Sequence, residues 1–195
     1  LGIIGGPSSN ILSGNSFISK YDSPILSFGA GLSFQYNFKK TVSLCMGFGY
    51  IKKGSYATAT YDYDGSLKEG IRMRRGFSYF EIPLLLRFCI GHQQRYFLDL
   101  GGYSSRLISQ NDIETSVFGR TYGQENSAVY SSKDYGLIAG GGIQWMMKDK
   151  NSLCIGLRAE VGLKDLALNT VFTGGPTYTE TAMLFIAYVT HFGQR

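Results

Sequence analysis

The segment FSYFEIPLLLRF, Phe77 to Phe88, decides the fold. Ser78, Phe80, Ile82, Leu84, Leu86 and Phe88 recur at spacing two and share one face of a β-strand, whereas Tyr79, Glu81, Pro83, Leu85 and Arg87 share the other. One face is an apolar wall; the other carries an acid and a base. A soluble sheet would need a core for each face. A wall turned to lipid, with the charges turned to a narrow polar interior, satisfies both.

The same alternation extends along the chain. Ser27 to Phe38 sets Phe28, Ala30, Leu32, Phe34, Tyr36 and Phe38 against Gly29, Gly31, Ser33, Gln35 and Asn37. After a short turn at Lys39 and Lys40, Val42, Leu44, Met46, Phe48 and Tyr50 oppose Ser43, Cys45, Gly47 and Gly49. Leu1 to Gly6 reads as the end of a first strand, and Pro7 to Pro24, rich in Ser, Asn and Gly, as a loop. Lys52 to Arg75 reads as a long connection whose flanks extend the neighbouring strands beyond a membrane.

Beyond the central segment, a turn around Gly91 to Gln94 leads to a strand from about Arg95 to Leu107, with Tyr96, Leu98 and Leu100 opposite Phe97, Asp99, Gly101 and Tyr103. Ser109 to Lys133 is polar and loop-like. Asp134 to Met146 and then Leu153 to Leu163 alternate again, across a short turn at Lys148 to Asn151. Lys164 to Glu180 is a loop, and Thr181 to Phe192 is a final strand, apolar on both faces. The connections run long, short, long, short, long, short, long. This is the rhythm of an all-β, eight-stranded antiparallel up-and-down transmembrane barrel with short periplasmic turns and long extracellular loops.

Composition agrees. A chain of 195 residues with 26 Gly and 14% aromatics is expected to form one domain, residues 1–195, built of strands. Hydrophobic content of 44% looks ordinary, but a barrel hides its apolar band in every second residue. No stretch approaches the roughly 18 apolar residues of a membrane helix. No signal peptide is recognisable, so a processed chain is expected, since an outer-membrane protein must be exported. The net charge of +5 is spread over turns and loops and gives no nucleic-acid footprint. Cys45, Cys89 and Cys154 lack metal-ligand spacing and read as small inward fillers, with one disulfide as the alternative. Neither a metal nor another cofactor is expected.

Alternation alone also fits a soluble, lipocalin-like barrel with an apolar interior. Volume separates the two, because an eight-stranded barrel encloses only enough space for side chains or one small ligand. The Phe, Tyr, Leu and Ile of the apolar faces are too many for it. The Gly and Ser face suits a lumen. Tyr36, Phe38, Phe88, Trp145 and Phe192 lie near the short-turn end and suit an aromatic girdle at a bilayer interface.

The inward strand charges are Glu81, Arg87, Asp99, Arg158 and Glu160, and they are expected to pair in a network that closes the lumen, since an isolated buried charge costs several kcal/mol. Lys52, Lys53, Arg72, Arg74 and Arg75 form a basic cluster on the long hairpin that suits lipopolysaccharide phosphates or an acidic partner. His92 and His191 fall at the periplasmic end, so no Ser/His/Asp site forms in the external loops. The GGG at Gly140 to Gly142 lacks the strand-to-helix context of a phosphate loop and reads as small inward residues with a bend or bulge. Pro83 donates no ladder hydrogen bond, which predicts a bulge beside it.

YFEIPLLLRF at Tyr79 to Phe88, GYIKKGS at Gly49 to Ser55 and DYGLIAGGGI at Asp134 to Ile143 resemble signatures of the PorT-like outer-membrane β-barrel family of Bacteroidetes, within the OmpA/OmpX-like class. The resemblance implies an integral barrel of the bacterial outer membrane with no enzymatic residues to carry over, serving as a structural protein, an adhesin or an accessory subunit, including parts of secretion machinery. The expected partners are outer-membrane lipid and lipopolysaccharide and other outer-membrane or periplasmic proteins. A narrow transport pore is the second reading and a soluble lipocalin-like carrier the third.

Overall fold

The computed structural model describes residues 1–61, 67–115, 121–125, 130–147, 151–167 and 175–190. Its elements are β1 (Gly2–Ser13), α1 (Ser16–Tyr21), β2 (Asp22–Ser23), β3 (Ile25–Asn37), β4 (Val42–Tyr61), β5 (Leu67–Gly91), β6 (Gln94–Thr115), β7 (Thr121–Glu125), β8 (Lys133–Met146), β9 (Asn151–Gly162) and β10 (Tyr178–Thr190). The ring β4-β3-β1-β10-β9-β8-β6-β5 closes through a β4–β5 ladder, giving an eight-stranded antiparallel barrel. The first and last strands pair along most of their length, from Gly2↔Val189 to Ser13↔Tyr178. The two short strands lie outside the ring, β2 on β4 and β7 on β6.

Side-chain parity is the one the alternation predicts. Phe80, Ile82, Leu84, Leu86 and Phe88 are exposed on the outside, whereas Tyr79, Glu81, Leu85 and Arg87 are buried inside. The outer wall continues with Leu98, Leu100, Leu137, Leu157, Leu184 and Ile186, all exposed. No helix among the described residues is long and apolar enough to cross a membrane.

Three expectations are corrected. The first strand does not end at Gly6 but runs to Ser13, and the supposed loop then holds α1 and β2. Ser8 and Asn10 point inward, where Asn10 Nδ2 donates to Ser8 Oγ at 3.1 Å and Asn10 Oδ1 accepts from Thr181 Oγ1 at 2.8 Å. A Ser/Asn-rich strand suits a polar lumen. The supposed loop from Ser109 likewise contains the end of β6 and all of β7.

Neither predicted bulge forms. Beside Pro83 the β4–β5 ladder passes from Met46↔Leu84 to Gly49↔Glu81 with unchanged register, and on the other side Pro83↔Tyr103 is in register too. Gly47 makes this possible: a Cβ there would lie 2.9 Å from Pro83 Cγ. The Gly140 to Gly142 run is in continuous register with both neighbours. Register shifts occur instead between Ala57 and Ala59 and between Ser78 and Tyr79, higher on the long hairpin.

That hairpin decides where functional groups can sit. β4 and β5 span 20 and 25 residues, about twice the 9–11 that cross a bilayer. Their upper halves, with β2, β7 and the end of β6, stand outside the membrane on the side of the long connections.

Candidate functional site

The candidate site is the lumen, packed except for a cavity beside Gly31, Gly47, Pro83 and Arg158, together with the outer end that caps it. Nearest the short turns, Arg87 meets Asp99 directly across the β5–β6 ladder. Arg87 Nε lies 2.7 Å from Asp99 Oδ1 and Nη2 lies 2.8 Å from Oδ2, a two-pronged ion pair. The guanidinium stacks 4.0 Å above the Phe97 ring, and Nη1 lies 3.9 Å from Cys154 Sγ. Cys89, Phe97, Cys154, Met183, Phe185, Ala187 and Val189 pack around this layer. All three cysteines are free thiols, as small inward fillers should be.

Above it, Leu85, Tyr103 and Ile138 form an apolar layer. Next comes Lys53, whose side chain is fully buried. Its Nζ lies 3.1 Å from Glu81 Oε2, 3.2 Å from Glu160 Oε2 and 3.6 Å from Asp134 Oδ2. The ammonium also sits 3.9 Å from the centre of the Tyr103 ring. Asp134 Oδ2 accepts from the Tyr103 hydroxyl and from Thr179 Oγ1, both at 3.0 Å. Arg158, half-buried, places its guanidinium 5.3 Å from the Phe185 ring.

The outer end is sealed by Leu12, Ile18, Ile51, Phe77, Tyr79 and Leu166, with Tyr130 edge-on to Phe77 at 4.9 Å. Ile18 is supplied by α1, a six-residue helix capped by Asn15, whose Oδ1 accepts from the N–H of Phe17 at 2.9 Å. Asn15 Nδ2 donates to Gly175 O at 2.9 Å, tying this turn to the connection before β10. Asp22, just after the helix, pairs with Arg75 at 3.1 Å and accepts from Ser55 Oγ. Burial pushes the Asp22 carboxyl above its ordinary range, although Arg75 and Ser55 pull it back.

The inward residues picked from the alternation, Glu81, Arg87, Asp99, Arg158 and Glu160, all face the lumen, but in two layers rather than one network. Arg87 and Asp99 form the lower layer; Glu81 and Glu160 gather around Lys53. Two members of the predicted external basic cluster are misplaced. Lys53 and Arg75 are 1% and 3% exposed and hold interior ion pairs, so neither can touch a partner outside. Lys52 and Arg72 are exposed, and Arg74 is half-buried on the outer surface. Parity alone could have found Lys53, since Tyr50 points out, Ile51 in, Lys52 out and Lys53 in. The same count places Asp134 inside with Gly136 and Ile138.

Tyr36, Phe38 and Phe88 are exposed at the short-turn end, and Trp145 is half-buried there. The Tyr36 and Phe38 rings meet edge to face at 5.2 Å. Phe192 and His191 lie outside the described residues.

A closed barrel with a packed lumen and an apolar outer band is the architecture of an integral β-barrel protein of the bacterial outer membrane, and that is where this protein resides. The chain belongs to the outer membrane protein beta-barrel domain family, whose model matches residues 1–168. Among solved structures it is similar to neisserial surface protein A, at 10% identity over 95% of this chain and 94% of that one, with a TM-score of 0.48. It is also similar to OprG of Pseudomonas aeruginosa, at 11% identity over 97% and 96%, with a TM-score of 0.48. The attachment invasion locus protein Ail of Yersinia pestis, solved with the heparin analogue sucrose octasulfate, is 14% identical over 96% of both chains, with a TM-score of 0.45. No curated protein matches the chain.

Proposed function

We propose that this protein is a nonenzymatic, non-conducting barrel that acts as a structural or accessory subunit in the outer membrane, offering its external hairpins to protein partners or to lipopolysaccharide. The observation that carries the reading is the burial of Lys53 among Glu81, Glu160 and Asp134, under an apolar cap. A solute path would have to break those ion pairs and displace the cap. The Arg87–Asp99 pair narrows the lumen below it, beside a cavity along β3 and β4 that ends under the Lys53 cluster.

The surface left for partners is the part of β4, β5 and β6 that stands above the membrane, with Lys52, Arg72 and Arg74 on its outer side. The girdle residues Tyr36, Phe38, Phe88 and Trp145 would anchor the opposite end. The resemblance to PorT-like proteins favours a place in secretion or assembly machinery, with outer-membrane or periplasmic proteins as neighbours.

Two measurements on protein extracted in mild detergent test this. Planar-bilayer recordings are expected to show no stable unitary conductance; reproducible openings would replace the reading with a narrow pore. Mass spectrometry of the purified native material is expected to show stoichiometric protein partners or retained lipopolysaccharide. A bare monomer with neither would remove the accessory role.

A further inference from the structure

On the outer surface, Arg106 of β6 and Lys133 of β8 are directly opposed Cα partners, both exposed. Like charges directly opposed across a ladder repel and cost stability. Neither residue has an ion pair among the described residues. Asp165, which follows β9 near the same end, uses its Oδ1 to accept the N–H groups of Ala167 and Thr177 at 3.1 and 3.0 Å.

Their height matters. Arg106 is also the partner of Phe80, so Tyr50, Phe80, Arg106 and Lys133 form one row across four strands. Below that row the outer face is Phe48, Ile82, Ser104 and Tyr135, and apart from Ser104 and the glycines it is apolar down to Ile90 and Tyr96; above the row on β6 only Ile108 adds an exposed apolar side chain before the polar end of the strand. From Ile90 to Phe80 the strand climbs about 26 Å, taking about 3.4 Å per residue and a tilt of roughly 40°, which matches an apolar band of about 25 Å. Strands about 4.8 Å apart and tilted by roughly 40° offset ladder partners by about 3 Å in height per strand, so the two cations stand within about 6 Å of the level where the hydrocarbon ends. Lys52, exposed on β4 opposite Ser78, lies one step higher on the same side.

We propose that Arg106 and Lys133 form a binding site for a phosphate group on the glucosamine headgroup of lipopolysaccharide. A phosphomonoester carries close to two negative charges and several acceptor oxygens, and a guanidinium can hold it with two parallel N–H donors while an ammonium neutralises the rest. The anion converts the repulsion across the ladder into attraction. This inference deepens the lipopolysaccharide arm of the proposed function and rests on the long hairpins lying outside.

The test uses the full chain in nanodiscs, with bisphosphorylated lipid A, the same lipid fully dephosphorylated, and inorganic phosphate as probes. The phosphorylated lipid is expected to bind and raise the unfolding temperature; the other two are not. Arg106→Gln/Lys133→Gln is expected to weaken that binding about tenfold or more, the scale of losing a charge-assisted hydrogen bond. Arg106→Lys/Lys133→Arg is expected to retain most of it. Equal binding of the dephosphorylated lipid, or unchanged binding by the double Gln variant, overturns the site. If that variant does not fold, the wild-type comparison of the two lipids still decides. Surface proteolysis of the β4–β5 hairpin in intact cells separates a wrong orientation from a wrong site, and conductance and partner recovery remain independent readouts of the broader function.

Discussion

Lys53 and Glu81 meet at 3.1 Å although Lys53 is the ladder partner of Phe77, four residues away from Glu81 along β5. The lysine therefore reaches back down the lumen from the middle of β4, which runs on to Tyr61. Its side chain spans the distance between the apolar cap and the carboxylates. One residue thus ties the external hairpin to the membrane-embedded wall.

Removing that tie should be severe. Lys53→Met leaves Glu81, Asp134 and Glu160 crowded together without their shared ammonium, and breaking a buried pair costs about 3–5 kcal/mol. The expected result is a marked fall in the urea midpoint of the folded, heat-modifiable form in lipid vesicles. Combining Lys53→Met with Glu81→Gln should recover part of the loss, because one uncompensated charge is gone.

The Arg87–Asp99 pair should behave non-additively. Asp99→Leu alone strands the Arg87 guanidinium in the lumen and is expected to cost about 3–5 kcal/mol, whereas Arg87→Met/Asp99→Leu, which removes both charges and keeps volume, should cost less than that single change. A double-mutant cycle on unfolding midpoints checks this. Strict additivity would mean the two side chains do not interact in the membrane.

The strands and their faces were legible because a lipid-facing wall imposes a period of two, and wherever a sequence kept Phe, Leu and Ile at every second place the structure has a strand. What was misread lay where that contrast fades. In β1, Ser8 and Asn10 look like loop residues but are what a narrow lumen accepts on its inner face. In β4, the apolar wall ends at Tyr50, so Lys53 looked external, yet the strand continues and parity carries Lys53 inside. Pro83 suggested a bulge because it donates no ladder hydrogen bond, but the β4–β5 pairing skips Gly47 and Phe48 and resumes in the same register, with Gly47 leaving room for the ring. The joining of Arg75 to Asp22 depends on α1 and β2, short elements with no periodic signal.

Close strand approach at glycine gives a steric prediction. A Cβ on Gly31 would lie 2.3 Å from Phe48 O and 2.6 Å from Gly49 Cα, both backbone atoms that cannot move without parting β3 from β4. Gly31→Ala is expected to lose about 1–3 kcal/mol or more, the range for overpacking, and to fold in lower yield by the gel-mobility assay. Gly123→Ala, with nothing within 4 Å of the new methyl, should change stability by less than about 0.5 kcal/mol.

The lower lumen layer can be probed through Cys154, which is fully buried and lies beside the Arg87 guanidinium. In a Cys45→Ser/Cys89→Ser background, a polar maleimide added to the folded barrel is expected to leave Cys154 unlabelled, with labelling complete after denaturation. Arg87→Ala removes the guanidinium that lies against the thiol and opens the layer toward the short-turn end. Its thiol should then react in the folded barrel while the Lys53 cluster above stays intact and conductance stays absent. If Cys154 remains unreactive in that variant, the packing of Phe97 and Phe185 rather than the ion pair shields it, and the lower layer is an apolar seal in which the charges only compensate each other.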